Sequence, residues 1–254
     1  VPSGEKSNRH RIINNLPGTK DFCPLIKKTE KLGKYITSDL AQQKSDYLKG
    51  VRKDILQRAS AFLLLKDSKA SFSIEGEKPK NKRAARWGEA IGQAGSNDLS
   101  KEELLRLQQI VIENDRFIEM GFREKGGFVG QHDRVTGEPI PDHISARWQD
   151  VGKLTDGLIA TNNLLLEKDI DAVLAATIIA FGFVFIHPFE DGNGRIARAL
   201  SQKILYQALD KPVLLALSYR IEQKKKDYYN ALEQANRSNE ITSWVVYFAK
   251  TIID

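Results

Sequence analysis

The stretch AVLAATIIAFGFVFIHPFEDGNGRIAR, residues 172–198, joins a long apolar run to a short loop that is rich in glycine and charged residues. The apolar run, residues 172–186, contains no charged residue, and it is shorter than the roughly 20 residues that a membrane-spanning helix needs. We therefore predict a helix that is buried on all sides. Its C-terminal end would place His187 at the start of the charged loop.

The loop combines residue types that suit the binding of a phosphate chain. Gly192 and Gly194 let the backbone approach an anion closely, and Asn193 between them tolerates left-handed dihedral angles and offers a side-chain amide. The helical pattern resumes at Arg195, so the turn is predicted at a helix N-terminus, where unpaired N–H groups and the helix dipole favour phosphate. Arg195 and Arg198 are three residues apart, which places two guanidinium groups on the first helical turn.

Two further residues of the loop supply metal and acid–base chemistry. Asp191 is a hard oxygen ligand beside the predicted anion site, and Mg²⁺ typically binds through one or two carboxylates plus phosphates. His187, with an ordinary pKa of roughly 6.5, can accept a proton from an attacking hydroxyl at neutral pH. Each feature alone has an ordinary explanation as a turn, a capping residue or a solvated charge. Together and in this order they indicate phosphoryl or nucleotidyl transfer.

Residues 187–198 resemble the signature of the Fic family, His-Pro-Phe-x-(Asp/Glu)-Gly-Asn-Gly-Arg-x-x-Arg, and match every fixed position. The resemblance implies an all-α fold, a Fic-type helical bundle with a small β-hairpin flap. It also implies an enzyme that uses ATP and Mg²⁺ to transfer AMP to a hydroxyl side chain of a target protein, with pyrophosphate leaving.

The resemblance also implies a role for each signature residue. His187 is the general base for the target hydroxyl, and Asp191 is the Mg²⁺ ligand. Arg195 is a catalytic residue that holds phosphate, and Arg198 reaches towards the γ-phosphate. The cradle of the α- and β-phosphates is then formed by Gly192, Asn193 and Gly194.

A second motif lies upstream of the signature. Residues 71–76, Ser-Phe-Ser-Ile-Glu-Gly, fit (Ser/Thr)-x-x-x-Glu-(Gly/Asn), which resembles the inhibitory motif of some Fic proteins. Ser71 and Glu75 are four residues apart and share a helix face, and Gly76 is a natural helix C-cap. The resemblance implies that Glu75 pairs with Arg198 and denies that guanidinium to the γ-phosphate. The chain would then be an enzyme held inactive by its own carboxylate.

The motifs leave three alternatives open. Glu75 could orient a water molecule that removes AMP from a modified target, since some family members run the reaction in that direction. The group transferred could be another nucleotide or another phosphate-bearing group. From a different class, the chain could be a non-catalytic ATP-sensing interaction module, although such a binder would have no use for His187.

Composition agrees with these interpretations without requiring them. The chain has 254 residues, 41% of them hydrophobic, which suffices for one sizeable domain or two small ones. A net charge of +6 gives an anionic ligand mild attraction and does not establish nucleic-acid binding. The single cysteine, Cys23, excludes an intrachain disulfide and favours a reducing compartment, so we expect a cytoplasmic protein without a membrane segment. The expected partners are ATP and an unidentified target protein, and a homodimer stays open.

The chain is predicted to contain two regions. Residues 1–70 form an N-terminal arm and helical region, and residues 71–254 form the Fic domain, including the inhibitory helix 71–76 and the C-terminal helices. Within the first region, prolines and glycines favour an extended arm over residues 1–30. Apolar spacing favours one long or two stacked helices over residues 31–65.

Three elements are predicted between the inhibitory motif and the flap. A short helix covers residues 70–75, and a basic loop follows over residues 78–86. Ser100 and Glu103 have the spacing of a capping box, which predicts a helix over residues 100–122.

Residues 126–144 break the helical pattern, and their prolines permit only edge strands. The stretch resembles the β-hairpin flap of Fic proteins, which aligns a target segment by strand addition. Val129 and Gly130 are its predicted contacts with the target backbone. No metal site is expected from its histidines and aspartates, because the pattern gives no reason for them to converge. These four are His132, Asp133, Asp142 and His143.

Residues 228–236 resemble the segment that lines the adenine pocket in this family. Tyr229 and Leu232, three residues apart, would share a helix face and supply an apolar wall, and Asn236 would supply a hydrogen-bonding amide. Ordinary core packing is the alternative for the tyrosine. The segment belongs to a final pair of helices predicted after a break at Pro212.

Overall fold

The computed structural model of the chain describes residues 4–36, 52–112, 118–168, 170–209, 215–238 and 240–253. Its helices are α1 (Glu30–Ile36), α2 (Lys53–Ile74), α3 (Asn81–Gly92), α4 (Lys101–Val111), α5 (Trp148–Glu167), α6 (Ala172–Ile186), α7 (Asn193–Leu209), α8 (Leu217–Gln223), α9 (Lys225–Arg237) and α10 (Thr242–Ile253). Two antiparallel hairpins pair β1 (Glu5–Ser7) with β2 (Ile12–Asn14) and β3 (Phe128–His132) with β4 (Pro139–Ile144). The predicted all-α fold with a small hairpin flap is confirmed.

Helix α6 is the apolar run of the sequence, and it lies at the centre of the fold between α5, α7 and α10. Asp171 caps its first turn by accepting a hydrogen bond from the Leu174 backbone N–H at 2.9 Å. Near its middle, Trp244 of α10 donates from Nε1 to the Thr177 carbonyl at 3.0 Å. The buried helix predicted from the sequence is confirmed, and it delivers His187 as its C-cap residue.

The N-terminal arm is packed against the helices. A Cβ atom added to Gly182 of α6 would lie 2.4 Å from the Phe22 ring, so the absence of a side chain there lets the arm approach. Thr161 donates to the Phe22 carbonyl at 2.8 Å, and the Ile241 N–H donates to the Leu25 carbonyl at 2.9 Å. The arm is mainly irregular, as expected, but it also contains the β1–β2 hairpin, which was not predicted.

Helix α2 continues without a break to Ile74, so the prediction of a separate short helix over residues 70–75 is wrong. The polar residues between the two predicted helices are satisfied inside the fold. Asp67 accepts from the Tyr219 backbone N–H at 3.0 Å, and Ser68 donates to the Ala84 carbonyl at 2.6 Å. Helix α2 therefore crosses the predicted domain boundary at residue 70.

The basic stretch over residues 78–86 is mostly helix rather than loop, because α3 begins at Asn81. Ala84, Trp87 and Ile91 form one buried face at helical spacing, and this burial decides the conformation. Of the basic residues in this helix, Lys82 and Arg86 are exposed, whereas the Arg83 side chain is largely buried.

Helix α4 begins as predicted and ends early. Ser100 caps it by accepting from the Glu103 N–H at 3.2 Å, but the Glu103 carboxylate binds Arg106 at 2.7 Å, so only half of the capping box forms. The helix ends at Val111, and residues 113–117 lie outside the described ranges. Phe122, predicted to be helical, forms an isolated β-bridge with the signature loop.

The remaining helix predictions have mixed outcomes. Helix α1 and the start of α2 fall within the predicted helical region 31–65, but residues 37–51 between them lie outside the described ranges. After α7 the structure has three helices, α8, α9 and α10, rather than the predicted pair. Pro212 also lies outside the described ranges. None of the helices described here is long and apolar enough to span a membrane.

Candidate functional site

His187 occupies a left-handed backbone conformation, with φ of 52°, at the C-terminal end of α6. Its backbone N–H donates to the Phe183 carbonyl at 3.0 Å, and its Nδ1 lies 3.3 Å from the Val184 carbonyl. Because a carbonyl can only accept, Nδ1 carries the proton and Nε2 is left with its lone pair. Burial lowers the pKa of His187 to about 4. The imidazole is therefore neutral at physiological pH and can act as a base.

Arg123 fixes the backbone around His187, and the sequence analysis did not identify it. Its guanidinium donates to the carbonyls of His187 at 2.7 Å, Lys125 at 2.9 Å and Ile186 at 3.2 Å, and also to that of Ala146. The last carbonyls of α6 are in this way satisfied by a buried cation. The same side chain joins the base of the flap to the loop of residues 187–198.

Arg123→Gln is expected to lower the free energy of unfolding by about 2–4 kcal/mol, because buried carbonyls lose a charged donor. Urea unfolding followed by circular dichroism measures this change. Arg134→Gln, on the exposed turn of the flap, is the matched control and should change stability by less than about 0.5 kcal/mol. Equal stability of the two variants would contradict the anchoring role of Arg123.

The glycine turn lies at the N-terminus of α7, as predicted. Gly192 has φ of 94°, which favours glycine, and its carbonyl accepts the first helical hydrogen bond from the Ile196 N–H at 2.9 Å. The preceding N–H groups at the start of the helix have no partner within it. A phosphate group placed there would meet these donors and the positive end of the helix dipole.

Asn193 has a different local role from the one expected. It begins α7 and does not have positive φ, since Gly192 carries the left-handed conformation. Its side-chain oxygen accepts from the Phe189 N–H at 3.0 Å, and its amide donates to the Phe189 carbonyl at 2.8 Å. Both the oxygen and the amide nitrogen of the side chain brace the loop, and the backbone N–H of Asn193 is the donor that the start of the helix offers to a phosphate.

Arg198 is buried against the C-terminal end of α2. It donates to the Ser71 carbonyl at 2.8 Å and to the Ser71 hydroxyl at 3.1 Å, and it pairs with Glu75 at 2.8 Å. The ion pair that the resemblance implied between Glu75 and Arg198 is therefore present. Ser71 holds the same guanidinium from the preceding helical turn.

Glu75 also covers the phosphate cradle. A Cβ atom added to Gly194 would lie 2.3 Å from Glu75 Oε1, so the carboxylate stands directly over this glycine. Gly76, with φ of 81°, ends α2 in a Schellman motif, in which its N–H donates to the Ser73 carbonyl and the Glu77 N–H donates to that of Phe72, both at 3.0 Å. The carboxylate that covers the cradle is thus fixed by the geometry of a helix end.

Arg195 and Asp191 form the other half of the site. The two Asp191 oxygens accept from one Arg195 nitrogen at 2.7 and 2.8 Å, and Oδ1 also accepts from the Gly192 N–H at 2.6 Å. The second terminal nitrogen of Arg195 binds Glu77, a residue that the sequence analysis did not identify. Asp191 is half-exposed, whereas Arg195 is buried.

A cavity of about 270 Å³ adjoins this site, and its lining includes His187, Glu75 and Gly194. The predicted apolar wall, Tyr229 and Leu232, also lines it. Asn236 is there as expected, together with Glu233, Asp142 and Val184, which were not predicted to be part of it.

The flap closes one side of this cavity. Val129 of β3 lines it, whereas Gly130 lies in a bulge of the hairpin, where an added Cβ atom would meet the Ile140 carbonyl at 2.2 Å. His143 of β4 also lines the cavity, and its Nε2 lies 2.9 Å from the Phe185 carbonyl. Among the described residues, no group of three or more His, Cys, Asp or Glu side chains converges as a metal site would require.

The site fits a nucleotide with a bound cation. Two buried guanidinium nitrogens, Arg198 Nη1 and Arg195 Nε, have no hydrogen-bond partner within the described part of the chain. Arg198 Nη1 lies 3.2 Å from the Cβ position of Gly194, so this unpaired donor faces the cradle. Asp191 can offer carboxylate oxygens to Mg²⁺, and phosphates and water would supply the other ligands.

Residues 98–205 match the model of the Fic/DOC family. The chain is 30% identical over 154 residues to Protein adenylyltransferase Fic of Nematostella vectensis, a match that covers 59% of this chain and 33% of that protein. It is also 30% identical over 155 residues to Protein adenylyltransferase fic-1 of Caenorhabditis elegans, which covers 61% of this chain and 27% of that protein. The chain thus spans about a third or less of the length of these curated relatives.

A solved structure with a similar fold is that of a Fic family protein from Desulfovibrio desulfuricans G20. It aligns with a TM-score of 0.64 at 23% identity and covers 91% of this chain and 74% of that one. At this identity the likeness concerns the fold alone. The family match contains the whole loop 187–198 and the flap, whereas residues 71–76 lie outside it.

Proposed function

Because the chain belongs to the Fic/DOC family through residues 98–205, we propose that it is a protein adenylyltransferase that transfers AMP from ATP to a hydroxyl side chain of a target protein. The observation that carries the proposal is the position of His187 Nε2, an unprotonated nitrogen on a cavity shared with the glycine cradle of α7. A base beside an anion site suits attack by a hydroxyl on a phosphorus atom.

The reaction follows from the positions of the side chains. His187 Nε2 takes the proton of the target hydroxyl, whose oxygen attacks the α-phosphorus of ATP. A new oxygen–phosphorus bond forms, the bond from the α-phosphorus to the bridging oxygen breaks, and pyrophosphate leaves with the β- and γ-phosphates. The N–H groups of residues 193 and 194 and the guanidiniums of Arg195 and Arg198 bind the phosphate oxygens. Mg²⁺ held by Asp191 would neutralise part of the negative charge on the phosphates.

We further propose that Glu75 inhibits this reaction. Its carboxylate pairs with Arg198 and covers Gly194, so it competes with the γ-phosphate for the guanidinium and for space. Displacement of Glu75 would leave Arg198 in place, because Ser71 continues to hold it.

The flap, with Val129 and Gly130, would align the target segment by strand addition. The single cysteine, Cys23, supports assignment to a reducing compartment, the cytoplasm.

Labelled ATP tests the type of reaction. The Glu75→Gly protein is incubated with Mg²⁺ and a cell extract, using ATP labelled on either the α- or the γ-phosphate. AMP transfer labels protein only from the α-position, and His187→Ala in the same background removes the label. Label from the γ-position that requires the Glu75→Gly protein and is lost with His187→Ala would identify phosphoryl transfer instead and would contradict the proposal.

The pH dependence of transfer is expected to reflect the lowered pKa of His187. The base is active when neutral, so the rate of the Glu75→Gly protein should stay level from neutral pH to about pH 5 and fall to half near about pH 4. The negative charge of Glu75 favours the imidazolium, so its removal lowers this pKa further. Initial rates across the pH range measure the profile, and circular dichroism checks that the protein stays folded. A midpoint near roughly 6.5 would contradict the burial of the base.

A further inference from the structure

Glu77 is held in a fixed position directly after the inhibitory glutamate. The Schellman motif at the end of α2 binds its backbone N–H to the Phe72 carbonyl at 3.0 Å. Gly76 turns the chain between the two glutamates, so Glu75 faces Arg198 while Glu77 faces Arg195. The C-terminal end of α2 thus places one carboxylate beside each of the two signature arginines, Arg195 and Arg198.

The Glu77 carboxylate lies between two arginines. One oxygen accepts from Arg195, and the other accepts from Arg83 at 2.6 Å. Both guanidiniums lie over the Phe72 ring, with their central carbons 4.4 Å (Arg83) and 5.2 Å (Arg195) from its centroid. Arg83 is itself anchored by two hydrogen bonds to the Val111 carbonyl. The carboxylate is therefore clamped from both sides.

The charge of Glu77 affects how strongly Arg195 binds Asp191. The Arg195 guanidinium is shared between Glu77 and Asp191, and both Asp191 oxygens accept from it. Asp191 is the residue that would bind Mg²⁺, and a neighbouring cation opposes the binding of another cation. With Glu77 charged, the positive charge of Arg195 is offset. Without that charge, Asp191 would be its sole ionic partner in the described part of the chain.

We propose that Glu77 is a positioning residue that binds Arg195 beside the phosphate cradle and thereby weakens the hold of Arg195 on Asp191, the residue that would bind the metal ion of the nucleotide. The inference rests on the proposed use of ATP with Mg²⁺. It gives Glu77 a role distinct from that of Glu75. Glu75 excludes the nucleotide, whereas Glu77 favours the binding of phosphate by Arg195 and of the metal ion by Asp191.

Removal of the Glu77 charge should have opposite effects on two quantities: the affinity for ATP without metal, and the gain in ATP affinity that Mg²⁺ produces. The site becomes more positive, so ATP without metal binds equally well or more tightly. Asp191 is at the same time held more firmly by Arg195, so the gain in ATP affinity produced by Mg²⁺ becomes smaller. A purely structural role would weaken binding with and without metal alike.

The test is calorimetric titration of ATP into the Glu75→Gly/His187→Ala protein, which is designed to bind ATP without consuming it. Each titration is made once with excess Mg²⁺ and once with EDTA. The dissociation constant in EDTA divided by that in Mg²⁺ measures the coupling between metal and nucleotide. Adding Glu77→Gln is expected to reduce this ratio about fivefold, with the value in EDTA unchanged or improved. Glu77→Asp, which restores the charge, should recover part of the ratio.

Asp54→Asn is the matched control, because Asp54 is a partly exposed carboxylate on the same helix that pairs with Arg58 far from the site. It should leave the ratio unchanged. An equal loss of affinity with and without Mg²⁺ in Glu77→Gln, an equal gain in both, or no change would each overturn the positioning role alone. A background protein that binds no ATP under either condition would instead overturn the proposed function and, with it, this inference.

Discussion

Replacement of Glu75 by glycine is expected to raise the rate of AMP transfer by about a hundredfold. The carboxylate pairs with buried Arg198 and stands over Gly194, so the γ-phosphate cannot reach either until it is displaced. Competition with a partly buried ion pair of about 3 kcal/mol corresponds to about two powers of ten in ATP affinity. Initial rates at ATP concentrations below saturation measure the change.

Two comparisons make this expectation specific. Glu75→Gln keeps the shape of the side chain and removes its charge, so it should activate less than glycine, which also empties the space over Gly194. Glu89→Gly removes an exposed glutamate from α3 and should leave the rate unchanged. Equal rates for the parent and Glu75→Gly proteins under these conditions would mean that Glu75 does not control access to the cradle.

Replacement of His187 in the activated protein is expected to lower transfer by about a thousandfold, because the group proposed to take the proton from the hydroxyl is lost. His187 has positive φ, so alanine adds backbone strain to the loss of the imidazole. His187→Asn is the better-matched variant, since asparagine tolerates this conformation but is not a base. Both variants should retain ATP binding, measured by calorimetry. Substantial transfer by the asparagine variant would remove His187 from the proposed mechanism.

The parts of the fold that depend on a strong local pattern could be predicted from the sequence. Helix α6 is uniformly apolar, and the flap is bounded by glycines and prolines. The pairing of Glu75 with Arg198 followed from two motifs at a distance of more than a hundred residues, and the structure contains it. The cavity wall of Tyr229, Leu232 and Asn236 is also where the resemblance implied it.

The missed features depend on tertiary contacts. Helices were expected over residues 31–65 and 70–75 separately, but the polar side chains between them are satisfied by α3 and α8, so α2 continues. Arg123 directly follows the helix predicted over residues 100–122, and nothing in its neighbourhood in the sequence indicates the four carbonyls that it binds. Glu77 lay one position beyond the inhibitory motif. Its partners are Arg83, which is 6 residues away in the sequence, and Arg195, which is 118 residues away, and the two guanidiniums meet over the Phe72 ring.

Asn193 illustrates the limit of assigning a role by position within a motif. Its residue type suits both a left-handed turn and a polar contact with a ligand. The structure assigns the left-handed conformation to Gly192 and the side-chain amide to the Phe189 backbone. The fold uses the residue to shape the loop, and the donors that remain for a phosphate are those of the backbone.

The most direct test of the central claim is the intact mass of the protein after incubation with Mg²⁺-ATP. Three forms are compared: the parent chain, Glu75→Gly, and Glu75→Gly with His187→Asn. We predict the added mass of AMP in Glu75→Gly, much less in the parent chain and none in the double variant. Addition of AMP to the same extent in all three forms would contradict both the autoinhibition by Glu75 and the catalytic role of His187.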